Sequence, residues 1–285
     1  MKTCCAGWFL LLVCNVMAME WRTYEGLSDE NVAYLRERFK TPENLKESLM
    51  GNFTSEHFLW PHETLLFKQK FGVADDILRA ALLEIIHESV KVAEWKPCSI
   101  EDPEELTFAK RRLMESIKWL GVCADDSAKE FLMEIAVDDT KGEVYRDEAV
   151  DAYIRSADAQ QVKDALIRFL VKERVLIDST YFYATEAYDA AEDDPQKRAA
   201  IVSALTAAAL EKEEDRGYFA KADEHFAGQD KGYAQSPQRK KALDRMNMSS
   251  GKQGAGSRLW LYAGVFLCAL CATLCLMAKK RGTRQ

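Results

Sequence analysis

Residues 126–137, DSAKEFLMEIAV, and 145–153, YRDEAVDAY, decide how this chain is read. Ala128, Phe131, Leu132, Ile135 and Ala136 recur at i, i+3, i+4, i+7 and i+8. That spacing puts five apolar side chains on one face of an α-helix. Tyr145, Ala149 and Ala152 do the same for a second helix after a short turn. A shift of 38 residues lays Asp126 on Asp164, Phe131 on Phe169, Leu132 on Leu170 and Val137 on Val175. It also lays Tyr145 on Tyr183 and the string EAVDA (148–152) on EAYDA (186–190). Ile135 against Glu173 breaks the match, so the repeat is degenerate. Self-similarity at a period of this size marks stacked helix pairs, each unable to bury its apolar face alone.

FLMEIA (131–136) followed by YRDEAVDAY (145–153) resembles a HEAT-type repeat. The resemblance covers residues 124–194 and extends over 74–228 by helix spacing. It implies an all-α fold of antiparallel helical hairpins, a HEAT-like α-solenoid, with an extended binding surface along one face. Tetratricopeptide repeats run at 34 residues with a Trp-x-x-Leu-Gly signature that this chain lacks. Phe131, Leu132, Tyr145, Ala149, Phe169, Leu170, Tyr183 and Ala187 are the expected inward positions, with alanine allowing close helix approach.

Helix punctuation continues on both sides. Thr41-Pro42-Glu43 opens a helix that Gly51 closes, and Pro61 opens one that ends at Gly72. Asp75-Asp76 precede a long periodic helix through Ile77, Ala81, Leu82, Ile85 and Ile86. Pro103-Glu104-Glu105 start another that ends at Gly121, Asp158 caps a helix through Leu170, and Pro195 begins a further one. No segment alternates as a strand would. Residues 22–72 therefore read as an N-terminal helical segment and 74–228 as the repeat domain.

The two ends give the topology. Residues 8–13 are an apolar run, and Val16-Met17-Ala18 is a small-x-small cleavage pattern, so 1–18 reads as a signal peptide. A lipobox reading would instead modify Cys14. Residues 259–278 hold twenty residues without a charge, followed by Lys279-Lys280-Arg281. At about 1.5 Å per residue they cross a hydrocarbon core of about 30 Å, which places a transmembrane helix at 258–278 and a cytoplasmic tail at 279–285. Gly, Ser and Pro together with six bases make 229–257 a flexible basic tether in this reading, with a short helix allowed from Pro237 to Met246.

Lys2, Arg258, Lys279, Lys280, Arg281 and Arg284 lie outside residues 19–257, which leaves 33 of the 39 bases against all 46 acids, a formal −13. Such a surface disfavours phosphate-rich partners, nucleic acid among them. Cys98 and Cys123 are the cysteines of this segment. A helix of about 26 Å between them is expected to keep them apart, since a disulfide needs Cα atoms within about 7 Å.

Chemistry-bearing residues are sparse. His57, His62 and Glu63 could supply metal ligands, but the two histidines are five apart with Pro61 between them, unlike the i, i+4 spacing of a helical zinc site. Asp75-Asp76, Asp125-Asp126, Asp138-Asp139 and Asp193-Asp194 adjoin helix ends, where carboxylates cap backbone N–H groups. They lack a calcium-loop spacing. No catalytic motif is found, and no cofactor is implied. The expected function is that of a membrane-anchored, extracytoplasmic scaffold for a protein partner. The alternative is an enzyme or metal protein with a site in residues 55–63.

Overall fold

The computed structural model describes residues 27–53 and 61–250. Among them are thirteen α-helices and no strand. The signal segment, His57 and the 258–278 stretch lie outside the described residues. Among the described residues no helix is long and apolar enough to cross a membrane.

Helices α1 (Asp29–Arg38), α2 (Pro42–Asn52) and α3 (Pro61–Phe71) come first. Ser28 and Thr41 cap α1 and α2 by accepting from Asn31 N and Asn44 N. Gly72, at φ +63°, ends α3 in the left-handed conformation that glycine adopts most cheaply. Two hairpins follow, α4 (Asp75–Ala93) with α5 (Glu104–Leu120) and α6 (Asp126–Val137) with α7 (Glu143–Ser156), and then α8 (Ala159–Ile167), whose continuation in the turn Arg168–Lys172 packs on α9 (Ile177–Ala190). The second helices α5, α7 and α9 lie side by side, with α7 in the middle. This all-helical arrangement is compatible with a fold of repeated helical hairpins.

The first helices carry their own start signals. Asp125 accepts from Ala128 N at 2.9 Å, and its carboxylate lies 3.1 Å from Arg79 Nε, so the cap also joins α6 to α4. Asp158 and Gln161 form a reciprocal capping box at α8. Asp138, by contrast, sits after α6 and holds a turn. It accepts from Thr140 and Lys141, which keep its carboxyl below the usual carboxylate range.

The core begins at an aromatic cluster. Phe53 and Phe67 both rest on Trp119 of α5, with ring centroids at 5.2 and 5.6 Å, and Phe39 and Phe71 pack on Phe67. The N-terminal helices thus share a core with the first hairpin. Further along, Gly121 meets Ala152 so closely that an added Cβ would lie 2.7 Å from the Ala152 Cα. Small residues are what let α5 and α7 approach.

Six of the eight expected inward positions are buried: Leu132, Tyr145, Ala149, Phe169, Leu170 and Ala187. Phe131 and Tyr183 are half-buried. In α9 the buried face runs through Thr180, Tyr181, Ala184, Ala187 and Tyr188, one residue away from the one expected. The Tyr183 hydroxyl donates to Asp147 Oδ2 at 2.6 Å. Ala190 is exposed because α9 ends there. Cys98 is exposed, Cys123 is buried, and both are free, in line with the helix that separates them.

Two compact units divide the chain, residues 1–205 and 206–285, and the division falls within α10 (Pro195–Glu211). In the second unit a 3-10 turn, Glu213–Asp215, leads into α11 (Arg216–Gln229), the one-turn α12 (Lys231–Ala234) and α13 (Pro237–Ser250). Residues 231–250 were expected to begin a flexible tether, and the helix expected there was short. They are helical except at Gln235 and Ser236, and Ala242 and Met246 are buried. Those two, with Arg239, make a stripe at i, i+3 and i+7, which a reading dominated by glycine, serine and charge passed over.

Candidate functional site

The metal-ligand candidates give little to build on. His62 stands in the first turn of α3 beside Glu63, which is half-buried, while His57 lies outside the described residues. Among the described residues no three His, Cys, Asp or Glu side chains gather as metal ligands would.

Two other places collect chemistry. The first is an open groove of about 730 Å³ between α6 and α8, the first helices of adjacent hairpins. Met133, Tyr153 and Ala165 supply its more buried lining. Tyr153 reaches it from α7 and is braced edge-on by Phe169 at 6.2 Å. Exposed acids, Asp126, Glu130, Glu134 and Asp164, outnumber its bases Lys129 and Arg168. Both bases are engaged. Lys129 Nζ donates to Gln161 Oε1 at 2.9 Å and lies 3.5 Å from Asp126, and Arg168 lies 3.5 Å from Glu173. Gln161 Nε2 in turn donates to Asp126 Oδ1 at 3.3 Å, so a polar link crosses from α6 to α8 at one end of the groove. Arg168 is also the first residue of a π-helical turn, Arg168–Lys172, that follows α8. Such turns are rare and are often found at functional sites.

The second place lies beneath, on α7. Asp147, Glu148, Asp151 and Arg155 meet Lys118 of α5 and Tyr183 of α9. Arg155 holds Asp151 through two bonds, Nε to Oδ1 at 2.9 Å and Nη2 to Oδ2 at 2.8 Å. The Lys118 ammonium is 3.9 Å from Glu148, and both side chains are nearly enclosed, at 11% and 16% exposure. Three carboxylates thus face two bases. Burial pushes the Glu148 carboxyl up to about 7, against a partial counter-pull from Lys118. Burial also raises Asp151, and there it outweighs the Arg155 pair. Asp147 Oδ1 and Arg155 Nη1 are buried with no hydrogen-bond partner. Tyr183 is held in its phenol form by burial and by donation to Asp147.

Carboxyls moved toward neutrality can serve acid–base chemistry. This cluster, however, sits between packed helices rather than in the groove. Sequence reading missed both places. The Asp151–Arg155 pair at i, i+4 was visible, but nothing in the order of residues put Lys118 beside it. The groove joins residues from three helices and has no linear signature.

No protein-family model, no curated protein and no solved structure matches the chain.

Proposed function

We propose that this protein is a membrane-anchored, extracytoplasmic HEAT-like scaffold that binds a protein partner along the α6–α8 face of its hairpin stack. The observation that carries the reading is the groove. It is open, about 730 Å³, and lined by a braced tyrosine, a methionine and an excess of acids, two of which, Glu130 and Glu134, lie on one exposed edge of α6. A rigid wall with an adaptable Met and an aromatic suits a protein segment. Acid excess favours a segment that carries lysine or arginine, through charge complementarity. Anchoring rests on the signal-like residues 1–18 and the uncharged stretch at 259–278.

The test reverses two charges. The chain with Glu130→Arg and Glu134→Arg, and a second with Glu186→Arg and Asp189→Arg, are crosslinked in native membranes beside the unaltered chain. The reading expects a crosslinked protein that the first variant loses and the second keeps, with helix content equal in all three. Equal capture by the groove variant, or none by any, overturns it.

A further inference from the structure

Resting on the anchoring proposed above, we propose that α13 is an electrostatic membrane-surface helix: its face bearing Lys240, Lys241 and Arg245 lies on anionic lipid headgroups, while its apolar face stays within the protein.

Asp223 on α11 is 4% exposed. Its carboxylate is fully claimed. Arg239 donates Nε to Oδ1 at 3.0 Å and Nη2 to Oδ2 at 2.8 Å, and the Tyr233 hydroxyl donates to Oδ1 at 2.7 Å. The Arg239 guanidinium also lies over the Tyr233 ring, 6.0 Å from its centroid. A bidentate pair with its acid so enclosed fixes the rotation of α13 about its axis. With Arg239 turned inward, Ala242 and Met246 follow it on the same stripe and are buried. At about 100° per residue, the opposite side then carries Lys240, Lys241, Asp244 and Arg245, all exposed. Three bases and one acid stand there, on a chain whose exported part is formally acidic.

The occupant follows from what that face lacks and from where it stands in the chain. An interfacial helix that inserts needs a free apolar face. Here that face is already buried, so only charge is on offer. Fourteen residue-to-residue steps lead from Arg245 to Leu259, the start of the uncharged stretch. Even fully extended, at about 3.6 Å each, they keep Arg245 within about 50 Å of that stretch. A basic surface tethered so near a bilayer meets headgroups at high effective concentration. Each base near an anionic leaflet strengthens the contact about fivefold. The contact should fade within a Debye length and weaken with salt.

The experiment places the full chain in nanodiscs of phosphatidylcholine alone or with phosphatidylserine, and follows amide hydrogen exchange across residues 237–250. Slower exchange in the serine-lipid discs, reversed by high salt, is expected. A chain with Lys240→Gln, Lys241→Gln and Arg245→Gln should exchange at the phosphatidylcholine rate in both, with its helix content unchanged. Asp223→Asn should speed exchange of α13 in phosphatidylcholine discs, because it frees the helix from α11. Equal exchange in the two lipids overturns the proposal and points to an acidic protein surface instead. Salt-resistant protection in both lipids overturns it as well, in favour of apolar insertion. A chain that fails to enter either disc counts against the anchoring reading, and discs that hold the chain with an indifferent α13 count against this inference alone.

Discussion

EAVDA at 148–152 and EAYDA at 186–190 are nearly the same string, 38 residues apart, in equivalent helices of neighbouring hairpins. In α7 the string is enclosed. Asp151 is 9% exposed, Ala149 and Ala152 are fully buried, and Glu148 faces Lys118. In α9 Glu186, Asp189 and Ala190 are exposed, and only Ala187 and Tyr188 are buried. Position in the stack makes much of the difference, because α7 has α5 on one side and α9 on the other. Four residues after the aspartate lies the rest of it. Arg155 follows Asp151, whereas Asp193 follows Asp189. A carboxylate can be enclosed where a base arrives with it.

The strongest way to break this comparison is to remove the base. Arg155→Ala leaves Asp151 enclosed without its two-bond partner, and a buried pair broken on one side costs about 3–5 kcal/mol. Asp189→Ala, on the exposed copy, should stay within about 0.5 kcal/mol. Urea titration of the detergent-solubilised chain by circular dichroism compares them. Equal midpoint shifts would mean that the two strings are not in different environments.

Next comes pH. Glu148 titrates near 7 in the folded chain against an ordinary 4.5, because burial penalises its charge. The folded state therefore holds this proton more tightly than the unfolded one. Its stabilising contribution is fully present below pH 4.5 and is lost as pH rises through about 7, at up to about 1.4 kcal/mol per pH unit and about 3 kcal/mol in all. Asp151 shifts in the same direction and adds to the slope. Glu148→Gln should flatten the slope and raise stability at pH 8. The counterpart Glu186→Gln should change stability by no more than about 0.5 kcal/mol, as exposed substitutions do. A stability curve from pH 5 to 8 that is unaltered by Glu148→Gln would sink the burial argument.

Packing should sharpen the contrast further. Ala152 touches Gly121 across the α5–α7 contact, so Ala152→Leu must force two helices apart at about 1–3 kcal/mol. Ala190 is exposed, and Leu there is expected to be nearly neutral. Thermal unfolding of the two variants checks it, with the Ala152 variant melting first.

Much of this was legible in the residues. The caps at Thr41, Asp125 and Asp158, Pro42 and Pro61 at helix starts, and the i, i+3, i+4 faces are local, and local rules suffice for them. The alanines of the 38-residue repeat were legible as close contacts, and Ala152 against Gly121 makes one. Side-chain direction on α9 was not, since the repeat register carried Tyr145 onto Tyr183 while the helix had turned by one residue. Nor was the charged cluster, because Lys118 lies 30 residues from Glu148 and only the packing of α5 on α7 brings them to 3.9 Å. The docking of α13 includes a pair sixteen residues apart, Asp223 with Arg239, whose base lies in a segment with the composition of a linker.

The smallest effect concerns the bond that joins the two copies. Tyr183, from the second, donates to Asp147, from the first, at 2.6 Å, and the other Asp147 oxygen is buried without a partner. Tyr183→Phe removes the donor and keeps the ring. Asp147 would then have no hydrogen bond from α9. A hydrogen bond to a charged group contributes about 1.5–3 kcal/mol when enclosed, and less where water reaches one side. Both residues are half-buried, so about 1 kcal/mol is expected. Asp147→Asn alone should cost less than Tyr183→Phe, because an amide oxygen still accepts from the phenol and one carboxylate leaves a cluster that has one too many. A double-mutant cycle separates the bond from the ring packing. A coupling of about 1 kcal/mol assigns the bond a role in holding α9 on α7. A coupling near zero would mean that apolar contact alone joins the copies, and that Tyr183 was turned outward by helix geometry rather than by its hydroxyl.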